Sequence, residues 1–237
     1  LNQCGYATFS AIKELRESGA KITETGGDVL SIWDFKKHGV IKTIGTEIGV
    51  GKESVIISAT TDKGFAAIKF HRYLQKEFSG IKKSLSWVAV KLRAKTLRIE
   101  DFEVDVPRAK AQVEFMALSE LKGVIPVPAP YGINRHAVCM QLIGDKSVPA
   151  KRLVDIRLEN PENARDVILE DYQKAVGAGW VHGDFSEYNI MITDGGDLYY
   201  IDWPQAIPAA CPESKVLMER DLASIKRYFK TKYGIGD

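Results

Sequence analysis

Three strand-like runs follow one another at Ile41 to Ile48, Val55 to Thr60 and Phe65 to Phe70, with only glycine-containing or polar turns between them. Helical periodicity dominates afterwards, so the strands must pair with each other before the helices can cover them. Pro107 opens a helix through Glu120 with apolar Val113, Phe115, Met116 and Leu118, and Gly123 and Pro126 close it. Pro126, Pro128 and Pro130 read as a rigid connector, and Ala137 to Ile143 as one further apolar strand. Glu162 to Val176 and Glu213 to Tyr233 are predicted helices, with two or three very short strands around a polar loop between Trp180 and Ile201. Strands first and helices later, joined near Gly144, predict a two-lobed α+β fold.

Upstream, Phe9, Ile12 and Leu15 sit about one turn apart, and Gly19 follows them. Lys21 to Thr25 reads as a brief extended stretch, and Asp28 as the cap of a helix that Gly39 ends. These elements form a small separate module. The first residue is Leu rather than Met, so that module is read as incomplete. The expected divisions are 1–39, 40–143 and 144–237.

With 45% of its 237 residues in the apolar set and 27% charged, the chain can build a sizeable core around a cleft. A net charge of +2 gives no global basic field, although Ser79 to Arg98 holds six basic residues and no acidic one. Such a run is either a solvated loop or a contact for RNA phosphates. Acidic Glu100, Asp101, Glu103 and Asp105 follow it. Three scattered cysteines suit neither a disulfide framework nor a paired metal-ligand pattern, which points to a reducing, cytoplasmic setting. No window approaches the roughly 20 apolar residues of a membrane span, so no membrane partner is expected.

The chemistry concentrates in Val181 to Ile190, where Asp184 is followed five positions later by Asn189, and in Asp202 at the end of a short strand. Two carboxylates and an amide of this kind suit phosphoryl transfer. One carboxylate orients the attacking group, while the amide and the other carboxylate hold a divalent ion. Asp and Asn also favour turns, which is the bland alternative. Upstream, Gly49, Gly51, Lys52 and Ser54 stand between two strands and can cradle phosphates, or simply form a hairpin turn. A lysine in an apolar strand, Lys69, precedes a helix bearing Glu114, an arrangement in which an ion pair aims the ammonium at phosphates. Glu114 shares that helix with Glu120, so a solvated position is the alternative. His38, His71 and His136 are read as surface or helix-end residues.

Taken together, Gly-Val-Gly-Lys-Glu-Ser at Gly49 to Ser54, His-Gly-Asp-Phe-Ser-Glu-Tyr-Asn at His182 to Asn189 and Ile-Asp-Trp-Pro-Gln at Ile201 to Gln205 resemble the RIO atypical kinases. Lys21 to Thr23, Gly27-Asp28 and Gly39 to Ile41 are similar to the Rio2-like branch, whose kinase domain follows a winged helix. That resemblance implies ATP with Mg2+, or Mn2+, as cofactors. It gives Lys69 a phosphate contact and Glu114 the task of holding Lys69. Asp184 becomes the catalytic carboxylate, Asn189 and Asp202 the metal ligands, and Met140, Gln141 and Ile143 part of an adenine hinge. It also implies a precursor of the small ribosomal subunit, with its RNA and proteins, as partner, and an aspartyl phosphate on Asp202. The departures are Val55-Ile56-Ile57 after the glycine turn and Gln141 where the hinge is usually acidic.

No Ala-Pro-Glu sequence follows Asp202, and only about 10 residues separate it from the last helix, too few for a peptide-docking lobe. Two other classes remain. A small-molecule kinase of the aminoglycoside or choline phosphotransferase type shares the His-Gly-Asp core but needs a helical insertion for its acceptor. An inert kinase-like scaffold binding nucleic acid would have no use for the intact Lys69, Asp184, Asn189 and Asp202.

Overall fold

The computed structural model describes residues 22–72, 106–146 and 148–236. The expected first helix, the basic run and most of the acidic segment lie outside them, as do residues 1–21 of the expected winged-helix module. The first described helix, α1, spans Glu24–Lys37. It begins before the predicted Asp28 cap because the Thr23 side chain accepts from Gly26 N (3.1 Å), and no extended stretch reaches Thr25. Asp28 is thereby placed inside the helix, where it accepts a two-pronged contact from Arg72 (2.9 and 2.6 Å).

Strands β1 (Thr43–Val50), β2 (Ser54–Thr61) and β3 (Gly64–His71) form consecutive antiparallel hairpins, as their alternating pattern and short turns predict. Helix α2 (Val106–Leu121) follows, then β4 (Pro130–Asn134) and β5 (Ala137–Gln141). The sheet order is β1-β2-β3-β5-β4, all antiparallel. The supposed connector is therefore partly strand. Pro130 is tolerated there because β4 is an edge strand, where a missing N–H breaks no ladder on the open side. The following strand ends at Gln141 rather than Ile143.

Period-two alternation explains how this sheet is covered on both faces. Ala66, Ile68 and Phe70 of β3 join Ala137 and Cys139 of β5 and Phe35 of α1 in one core cluster. The intervening β5 residues, Val138 and Met140, face the other way and pack with Ala109, Val113 and Ala117 of α2. Burial pushes the Cys139 thiol up to about 12, as for a structural, unreactive cysteine.

The second half opens with two-residue strands β6 (Gly144–Asp145), β7 (Val148–Pro149) and β8 (Lys151–Arg152). Helix α3 (Pro161–Gly177) is capped by Asn160 and started by its own proline. Strands β9 (Trp180–Val181), β10 (Ile190–Ile192), β11 (Leu198–Tyr200) and β12 (Ile207–Pro208) precede α4 (Ser214–Tyr233), which stops at Gly234 with φ +72°. The α2 core cluster continues without a break into Tyr172, Trp180, Phe185, Tyr200, Trp203 and Phe229. Trp180 Nε1 also donates to Glu120 of α2 (2.9 Å), which ties the second half to that helix. Among the described residues no helix is long and apolar enough to cross a membrane.

Candidate active site

A cleft of about 590 Å³ lies between the sheet and the short strands of the second half. Gly49, Gly51, Ser54, Lys69, Glu114, Met140, Gln141, Ile143 and Asp202 all line it. Lys52 does not; it is exposed at the tip of the turn. Asp184 and Asn189 sit beside the cleft rather than in its lining.

Lys69 is the centre of the arrangement. β3 turns it toward α2, and its ammonium lies 2.6 Å from Glu114 Oε1 and 2.6 Å from Asp202 Oδ1. Burial alone would favour a neutral lysine, but Asp202 and Glu114 outweigh it and hold the pKa above the ordinary value. Glu114, 1% exposed, is likewise held far below the usual carboxylate range, because Lys69 and His71 overcome the cost of burying it. Of the two glutamates on α2, it is Glu114 that meets the lysine. The helix reaches the glycine turn as well, since buried Lys110 donates to Glu53 Oε2 (2.9 Å) one helical turn before Glu114.

The polar loop around Asp184 is held by its backbone. Gly183 takes φ +79°, and a Cβ there would lie 2.8 Å from the Gln205 carbonyl oxygen, so only glycine fits. Asn189 Nδ2 donates to Asp184 O (2.8 Å) and Oδ2 (3.1 Å), which leaves its Oδ1 available as a neutral oxygen ligand. Burial raises the pKa of Asp184 above the ordinary value, and the Asp202 charge adds to this against His182 and Asn189. A proton acceptor gains strength from such a shift. Asp202 has φ +68°, unusual for a residue with a side chain, and its side chain stays 41% exposed while Lys69 and Glu114 are buried.

Three buried positions around the site were given no role by the sequence reading. His182 is fully buried, donates through Nε2 to Ile201 O (3.0 Å), accepts at Nδ1 from Asp184 N (3.2 Å) and packs at a tilt against Trp203. His71 is no surface residue: it is 2% exposed and its Nε2 meets Glu114 Oε2 at 2.8 Å. Asp221 of α4, 1% exposed, accepts from Gly183 N (2.8 Å), Phe185 N (3.2 Å) and the Tyr172 hydroxyl (2.9 Å). It clamps the backbone on either side of Asp184. Its place one turn before buried Ile225 was the available signal.

A family model described as the RIO domain matches residues 54–235. The chain belongs to the RIO kinase family. It is 34% identical over 240 residues to the RIO-type serine/threonine-protein kinase Rio2 of Methanocaldococcus jannaschii, across 99% of this chain and 83% of that protein. Identity to the rio2 serine/threonine-protein kinase of Schizosaccharomyces pombe is 27%, across 96% of this chain and 64% of that one. The fold matches the Rio2 kinase of Chaetomium thermophilum, solved as an ADP/Mg2+-phosphoaspartate complex, with a TM-score of 0.70 at 23% identity, over 96% of this chain and 70% of that one. The chain is thus a RIO-type serine/threonine kinase in family and in fold.

Proposed function

We propose that the chain is an ATP- and Mg2+-dependent phosphotransferase in which Asp202 is the first acceptor of the γ-phosphate. The observation that carries this is the Lys69 ammonium, fixed 2.6 Å from both Glu114 and Asp202 in a cleft rimmed by Gly49 and Gly51. The glycine turn and Lys69 bind the phosphates, and Met140 to Ile143 border the base. Among the described residues no three His, Cys, Asp or Glu side chains form a metal cluster. That suits magnesium, which takes one or two protein oxygens and completes its shell with phosphate and water. Asn189 Oδ1 and Asp202 would hold it, and when bound it would neutralise charge on the phosphates.

An Asp202 carboxylate oxygen attacks the γ-phosphorus, the bond to the β–γ bridging oxygen breaks, and ADP leaves. Water then attacks the phosphorus of the acyl phosphate while Asp184 takes its proton, the P–O bond to Asp202 breaks, and inorganic phosphate leaves with the Asp202 carboxylate regenerated. The exposure of Asp202 supports the first step, and the raised pKa of Asp184 supports the second. The phosphoaspartate in the Chaetomium structure supports an aspartate as acceptor. The small-ribosomal-subunit precursor is proposed as partner on the family resemblance.

Incubation with γ-labelled ATP and Mg2+ should label the protein, hydroxylamine should remove the label, and Asp202→Ala should abolish it. Calorimetric titration should show ATP binding that disappears on chelation of the metal. Label that resists hydroxylamine and maps to serine or threonine would refute Asp202 as acceptor. Comparing ATP turnover with and without purified small ribosomal subunits tests the partner, and identical turnover would remove it.

A further inference from the structure

His71 has no part in the reaction as proposed, yet it is among the most enclosed polar side chains of the described residues. Alternation along β3 places it on the same face as Lys69, toward α2. The two residues divide one carboxylate between them: Lys69 Nζ contacts Glu114 Oε1 at 2.6 Å, and His71 Nε2 contacts Oε2 at 2.8 Å. The terminal torsion of a glutamate is broad and roughly two-fold, so a single partner leaves the carboxylate free to swing. Two donors on opposite oxygens stop it.

The histidine is itself anchored. Its backbone N–H donates to His136 O (2.9 Å), and the next residue, Arg72, donates from its backbone to Glu53 O of the glycine turn (2.7 Å). His71 also lines a second cleft of about 320 Å³ between α1 and the start of α2.

We infer that His71 is a positioning residue for Lys69, acting through Glu114: its Nε2–H fixes the carboxylate so that Oε1 stays aimed at the ammonium. Losing that donor leaves one oxygen of buried Glu114 without its histidine partner and frees the carboxylate to turn. Lys69 then stays with Asp202 alone, away from incoming phosphates. This rests on the phosphotransferase reading above.

The test compares His71→Leu, which fills similar volume without a donor, with His71→Gln, whose amide nitrogen can reach Glu114. Losing a partner that orients a ligand in this way costs about 10–100-fold in other sites. The Leu variant should therefore lower kcat/KM for ATP by about that factor, mainly through KM, while the Gln variant stays within about threefold of wild type. In a Glu114→Ala background, adding His71→Leu should change kcat/KM less than about twofold. Should the Leu variant not fold, His71→Asn, polar but too short, takes its place. Equal loss in Leu and Gln variants, or full loss persisting in the Glu114→Ala background, overturns the inference and leaves His71 a packing residue. A wild-type chain without ATP turnover refutes the phosphotransferase reading instead, and this inference with it.

Discussion

Replacing Asp221 tests whether the loop around Asp184 is held from outside itself. Its carboxylate accepts from two backbone N–H groups and a tyrosine hydroxyl, all buried. Asp221→Ala strands three donors at about 1–3 kcal/mol each, tempered by any water the cavity admits, so a loss of about 3–6 kcal/mol is expected. That is a large part of the roughly 5–15 kcal/mol that holds a domain together. Tyr172→Phe removes one of the three bonds and keeps the carboxylate, for about 1 kcal/mol. Asp221→Asn keeps the volume but turns an amide N–H toward a donor, and its cost should fall between the two. Because Gly183 and Phe185 flank Asp184, a displacement of about 1 Å there should also lower kcat by about 100-fold in the Asn variant. Urea unfolding gives the first quantity and ATP turnover the second. An Asn variant within about 1 kcal/mol of wild type and fully active would show that the loop holds its own shape.

Gly183→Ala should destabilise by more than the about 1 kcal/mol of an ordinary left-handed penalty, since its Cβ meets the Gln205 carbonyl at 2.8 Å; thermal melting reads the shift, and an unchanged midpoint would refute the contact. Burial holds the His71 pKa below its ordinary value against the pull of Glu114, while Lys69 lowers it and Asp202 raises it. The unfolded chain therefore takes up a proton near pH 6.5 that the folded chain refuses, so this contribution is present above that pH and is lost on acidification, by at most about 1.4 kcal/mol per pH unit. His71→Gln should flatten the slope of stability between pH 7 and 5.5, and an unchanged slope would refute the assignment.

Much of this site could be read from residue type and spacing. Lys69 stood out as a charge in an apolar strand, and Glu114 as an acid on an apolar helix, because burying either requires the other. The Asp184 to Asn189 pairing was legible because an Asp and an Asn five positions apart in a tight loop can hydrogen-bond each other whatever surrounds them. What escaped depended on a third element arriving from elsewhere in the chain. Asp28 carries the mark of a helix cap, but Arg72 claims it from the far end of β3, and Thr23 caps the helix instead. Pro130 says "not a strand" except at a sheet edge, and which strand lies at the edge is decided by the pairing of β3 with β5. His71 was readable in principle, since two positions after an inward lysine the chain must point inward again.

Helix α2 grips the cleft at two heights, Lys110 on the glycine turn and Glu114 on the lysine, about 6 Å apart along its axis. It therefore works as a lever with two hooks. A tilt or slide large enough to release one hook disturbs the other, so the glycine turn and the Lys69 ammonium move together. A substitution that shifts this helix therefore cannot be read as a change in the lysine alone, because the turn that Lys110 holds shifts with it.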